Sequence, residues 1–148
     1  MKGRLRHLAR NSAGTAAIEF AFVLPILLLA ALGTFQFGLT INNYLMVTDA
    51  ARAGGRVLAL SRGSSTPYSD TVSQVRSSAS DLTASSLTIV TSINGTACTS
   101  DTTCQTALTS AAGQPAYVSV TYPCSLRVLN FDFAPSCTLR AQTTERIE

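Results

Sequence analysis

Hydrophobic and polar positions divide the chain into a long apolar N-terminal part and a polar remainder. From Phe20 to Leu39 no charged side chain occurs, and about 20 apolar residues rising 1.5 Å each match a hydrocarbon core about 30 Å thick. The pattern predicts one transmembrane helix, in which Pro25, Gly33 and Gly38 are tolerated and Gln36 needs one partner. Beyond Leu39 the pattern stays helical. Ile41, Tyr44, Leu45, Thr48, Ala51 and Arg52 follow three- and four-residue steps, and no proline intervenes before Pro67. A single helix from about Thr15 to Leu60 would therefore lead out of the bilayer as a stem. Ala50, Ala51, Ala53, Gly54 and Gly55 give that stem a face of small residues, suited to close packing in a bundle or against a head. Asp49 and Arg52 are neighbours at i, i+3, and Arg52 and Arg56 share a face at i, i+4. Those arginines form either a solvated face or a contact for lipid headgroups.

Turn chemistry in Arg62-Gly-Ser-Ser-Thr-Pro-Tyr separates the stem from the C-terminal half of the chain. Thr66 as N-cap and Pro67 at the first helical position predict a second helix, with Tyr68, Val72, Val75 and Leu82 on one face. Leu87, Ile89, Thr91 and Ile93 alternate with Thr88, Val90 and Ser92 as a strand does, and Asn94-Gly95 ends it as a turn. Tyr117 to Tyr122 and Cys137 to Thr143 supply two more strands. The expected fold is α+β: a long N-terminal transmembrane and stem helix, then a small extracytoplasmic head with one helix and a three-stranded, mostly antiparallel sheet packed on the stem. The expected segments are a basic leader (1–14), the transmembrane and stem helix (15–62) and the head (63–148).

Charge sharpens this division. Lys2, Arg4, Arg6 and Arg10 lie in the leader with no acid beside them, which leaves seven basic against eight acidic side chains after Gly14. The basic character belongs to the leader, so no nucleic-acid partner is expected. By the positive-inside rule the N-terminus is cytoplasmic and the head lies across the membrane, although Arg52, Arg56 and Arg62 reduce the asymmetry. Two other readings share the basic start and apolar centre: a secretory signal peptide cut near Ala31-Leu32-Gly33, and an uncleaved signal anchor. Glu19 is costly where it stands, since an acid in the bilayer core costs about 2.5–3.5 kcal/mol. It serves recognition or assembly, or it sits at headgroup level as a first-turn acid.

Gly14, Ile18-Glu19-Phe20-Ala21, Leu24-Pro25, Phe37-Gly38 and Asp49-Ala50-Ala51-Arg52-Ala53-Gly54-Gly55-Arg56 together resemble TadE-like proteins, minor pseudopilins of tight-adherence (Tad/Flp) pilus assembly systems. The resemblance implies a class III signal: an inner-membrane aspartyl prepilin peptidase recognises Gly14, Thr15, Glu19 and Phe20 and cuts after Gly14, so that Glu19 is the fifth mature residue. Major Flp pilins usually carry Glu-Tyr where this chain has Glu19-Phe20, and they are much shorter, which points to the accessory class. The resemblance further implies a bacterial inner-membrane, single-pass protein whose head is periplasmic. Its partners would be other pilins or pseudopilins and the Tad secretion platform, with Asp49, Arg52, Gly54, Gly55 and Arg56 as the stem's packing and interaction residues. In a bacterium the Asn94-Gly95-Thr96 sequon reads as a turn only. Cleavage would leave a Thr15 α-amine with a pKa of about 8, about 6 Å along the helix from Glu19, which can answer that charge or one on a neighbour. The alternative is a membrane-anchored periplasmic binding protein without a pilus role.

Cys98, Cys104, Cys124 and Cys137 allow three connectivities. Short loops favour Cys98 with Cys104 and Cys124 with Cys137, in an oxidising compartment. Zinc is the rival, but its ligands usually come in closer pairs than these gaps provide. The one histidine, His7, is in the leader. With no partner to activate a serine, no phosphate loop and no paired carboxylates, neither an enzyme, a cofactor nor a small-molecule substrate is expected.

Overall fold

The structure, a computed structural model, describes residues 12–128 and 131–148. The leader cations Lys2, Arg4, Arg6 and Arg10, with His7, lie outside the described residues. Helix α1, Ser12–Leu60, is continuous over 49 residues with Pro25 inside it, a length of roughly 70 Å. It is long and apolar enough to cross a membrane. Every residue from Gly14 to Leu32 is exposed. Burial begins at Val47 and continues through Ala50, Ala51, Leu58 and Ala59, the three- and four-residue rhythm of one helix face. The stripe of large residues predicted lower on the stem points elsewhere, with Ile41, Tyr44 and Leu45 all exposed. The core of the head closes on the stretch of α1 from Val47 to Ala59, where alanines and Gly54-Gly55 allow close approach.

Helix α2, Pro67–Ser78, starts as predicted with proline in its first turn. Thr66 does not cap through its side chain; its hydroxyl donates instead to Asp70 at 2.9 Å. The buried face is Pro67, Thr71 and Val75, continued past the helix by Ala79 and Leu82. After a short 3₁₀ turn (Ala84–Ser86) come β1 (Thr88–Ile93), β2 (Thr96–Cys98), α3 (Asp101–Thr109), β3 (Pro115–Pro123), β4 (Arg127–Val128), β5 (Phe131–Asp132) and β6 (Thr138–Arg146).

The main sheet runs β2-β1-β3-β6, antiparallel throughout. Its inner face carries Thr91 and Ile93 of β1, Ala116, Val118 and Val120 of β3, and Ala141 of β6, all buried. This face lies against α1. On the other face Arg140 donates from Nε to Ser119 Oγ at 3.2 Å, and Tyr117 donates to Gln142. The result is two layers, helices against one face of the sheet, with a polar ladder on the outside.

Two expectations about the head are corrected. The sheet has four strands rather than three, because Asn94 and Gly95 (φ 49° and 80°) form a two-residue hairpin turn that returns the chain as β2. Both central residues have positive φ, the geometry whose twist suits a hairpin. The head also has two helices rather than one. Helix α3 is polar and short but carries a capping box: Ser100 Oγ accepts from the Thr103 amide while Thr103 Oγ1 accepts from the Ser100 amide. A separate two-strand ribbon pairs β4 with β5.

Asp101, in the first turn of α3, ties α2 to α3. Its carboxylate accepts from the Ser69 hydroxyl at 2.6 Å and the Ser69 amide at 2.8 Å, and those hydrogen bonds hold its pKa below the ordinary 3.8. A depressed carboxylate stabilises the fold fully above its unfolded pKa and loses that contribution as pH falls through the folded value. The α2–α3 contact is therefore expected to be intact down to about pH 4 and to weaken below it. In Asp101→Asn, acid titration followed by hydrogen exchange at Ser69 should lose this acid-side step; an unchanged step would disprove the assignment.

Candidate functional site

The residues singled out in the sequence fall at two places on α1. Gly14, Thr15, Glu19 and Phe20 occupy its first turns and are all exposed. The amides of the first four helical residues have no intrahelical acceptor. The Gly14–Thr15 bond therefore lies where unwinding costs least, at a glycine with nothing within 4 Å of where a Cβ would stand. Thr15 and Glu19 are four residues apart and share a face of the helix.

Asp49, Arg52, Gly54, Gly55 and Arg56 sit about 40 residues further on, where the stem enters the head. The helix separates them into two faces. Gly54 and Gly55 are buried, whereas Asp49, Arg52 and Arg56 are exposed. A Cβ on Gly54 would overlap Val75 of α2 and stand 3.6 Å from Thr71 and Val118; one on Gly55 would overlap Thr143 of β6. These glycines bring the α1 backbone against both layers of the head. Thr71, Val75, Val118 and Thr143, which shape that seat, come from three elements distant in sequence, and periodicity within one segment cannot pair them with the glycines. On the outer face Arg52 reaches Asp49 at 3.8 Å with both side chains 72% exposed, a pair worth at most about 1 kcal/mol. Arg52 and Arg56 border a shallow cleft with Glu145, Arg146 and Glu148, a mixed-charge surface available to a partner.

The cysteines pair as Cys98–Cys104 and Cys124–Cys137. The first bond ties β2 to α3 and is buried; the second closes the base of the β4–β5 ribbon. The pairing is the one that short loops favour, and the loop closed by Cys124–Cys137 is itself a paired ribbon reaching α1. Leu126 and Phe133 of that loop face Leu29, Gly33 and Phe37 of the helix across a cleft.

Residues 14–56 match the family model described as TadE-like protein. The match begins at Gly14 and ends at Arg56, so it covers the first turns, the apolar run and the small-residue seat, while the head beyond its first contacts lies outside it. No curated protein and no solved structure matches the chain.

Proposed function

From this TadE-like protein's matched segment, we propose a non-catalytic minor pseudopilin that takes part in assembling a Tad/Flp-type pilus. Helix α1 anchors it in the bacterial inner membrane with the N-terminus in the cytoplasm and the head in the periplasm. A prepilin peptidase trims it after Gly14. Other pilins, pseudopilins or the secretion platform then meet the exposed flank of α1 and the Asp49, Arg52 and Arg56 surface. The observation that carries this reading is one uninterrupted helix that is exposed from Gly14 to Leu32, carries no charged residue but Glu19 over its first two-thirds, and has its TadE-like match start at the expected cut. The two disulfides support an oxidising compartment for the head. Catalysis is not part of the reading, since the chain's one histidine is in the leader.

After cleavage, Glu19 stands one helical turn from the new α-amine, where a carboxylate is favoured both by that charge and by the helix dipole. In low dielectric an unpaired partner is heavily penalised. Mass spectrometry of the native N-terminus is the direct test: Thr15 is expected, whereas Met1 would mean a plain anchor and Thr34 a secreted protein. Glu19→Ala should lower processing or fibre number about tenfold or more. Normal levels of both would remove Glu19 from the mechanism. A second reading, an anchored periplasmic interaction protein without a pilus role, draws on the position of the head outside the matched segment. Deletion distinguishes the two, because only the pseudopilin reading predicts loss of fibres and co-purification with pilin-like partners.

A further inference from the structure

The disulfide-closed ribbon descends well below the rest of the head. Head contacts with buried residues of α1 begin at Val47, yet Leu126 and Phe133 meet α1 around Gly33, about 21 Å further down the axis. Gly33 is also about 9 Å inside Leu39, the last residue of the 20-residue stretch Phe20–Leu39 counted as one bilayer span. The half-buried Gln36, Thr40 and Asn43 lie between the two contact zones and mark the face of α1 turned toward the ribbon. Phe133 remains 72% exposed even in this position. An exposed phenylalanine on a clipped loop at that depth is costly in water and favourable in lipid.

The backbone of the ribbon's described residues suits the same place. Peptide groups entering a bilayer must find partners within the protein. Here β4 pairs with β5, Phe133 N–H donates to Leu126 O at 2.9 Å, Cys124 N–H to Cys137 O at 3.0 Å and Cys137 N–H to Ala134 O at 3.0 Å. Ala134 N–H donates to Asp132 Oδ1 at 3.1 Å, which also gives that carboxylate a donor, and Pro135 has no N–H to satisfy. Between ribbon and helix is a cleft of about 420 Å³ lined by Leu29, Gly33, Gln36, Phe37, Leu126 and Phe133. Its floor is continuous with the exposed apolar surface of α1.

We infer that the Cys124–Cys137 ribbon is a second membrane contact: it dips into the outer leaflet beside α1, and a lipid acyl chain fills the cleft between Phe133 and the helix. This rests on α1 spanning a membrane. A helix whose only lipid contact is its own span can tilt freely, whereas a ribbon anchored beside it fixes the tilt and the height of the head above the bilayer.

The chain contains no tryptophan, so one inserted indole reports its own surroundings. The full chain is reconstituted in phosphatidylethanolamine–phosphatidylglycerol vesicles with dibrominated acyl chains, as F133W, as F22W within the apolar run and as V90W on the outer face of the sheet. F133W is expected to show blue-shifted emission and to lose about half its intensity or more to brominated lipid, approaching F22W, while V90W stays unquenched. If F22W is quenched but F133W emits and responds like V90W, the ribbon is in water and the inference fails while the span stands. If F133W is blue-shifted but unquenched, a protein surface covers it and the inference fails equally. If F22W is not quenched either, the membrane span itself is wrong, and the ribbon's contact falls with it.

Discussion

Gly54→Leu is expected to destabilise the seating of the head on α1 by about 3 kcal/mol or more. Even a single added carbon at this position overlaps Val75, a fully buried, β-branched residue of α2 that has no free rotamer to retreat into. Gly54→Ala isolates the first increment. Alanine improves helix propensity by about 1 kcal/mol, overpacking opposes it by about 1–3 kcal/mol, and the net loss should be about 1 kcal/mol. Gly55→Ala should cost less, because the residue it overlaps is Thr143, half-buried on the last strand, where movement is easier. Urea unfolding of the full chain in detergent micelles, followed by near-ultraviolet circular dichroism, gives the order Gly54→Leu, Gly54→Ala, Gly55→Ala from least to most stable. A neutral Gly54→Leu would show that α1 does not seat the head there.

Opening the two disulfides should have unequal consequences. Cys98 and Cys104 are six residues apart, so their bond is worth about 2 kcal/mol in the chain-entropy model. Both residues are also fully buried in the core, and replacing them with alanine leaves unfilled space, raising the expected cost to about 3–4 kcal/mol. Cys124 and Cys137 close a longer loop of sequence separation 13, nominally worth about 3 kcal/mol. Their ribbon makes few contacts with the main core, however, so it can open locally while the sheet stays folded. The paired Cys124→Ala, Cys137→Ala variant should therefore lose less than about 2 kcal/mol in global stability. Urea midpoints of the two double variants in micelles test this ranking, and the reverse order would place the ribbon inside the cooperative core.

What could be read in the sequence was whatever repeats within one segment. The three- and four-residue steps placed α1, Pro67 placed the start of α2, and strict alternation from Leu87 to Ile93 placed β1. Short loops favoured both disulfides. The missing pieces are of a different kind. Strand β2 has three residues, too few for alternation to register, and exists because Cys98 pairs with Thr91 across the Asn94-Gly95 turn. Helix α3 is mostly threonine, with one aspartate, one glutamine and one alanine, around two buried anchors, Cys104 and Leu108, so its capping box is a stronger signal than its weak apolar face. For the candidate site, the glycines were visible as small residues, but their occupants Val75 and Thr143 become neighbours only when α2 and β6 fold back on α1. The ribbon's descent along α1 likewise depends on contacts between segments about 100 residues apart.

Because α1 is unbroken from Ser12 to Leu60 and its last turns are part of the head's own core, the hinge-like residues after it come too late to act as a swivel. The chain reaches Ser61 only after passing through the head. Anchor and head therefore turn as one shaft: a neighbour that grips the lower helix at one azimuth also decides which side of the sheet faces outward, and torque applied to either end is delivered to the other.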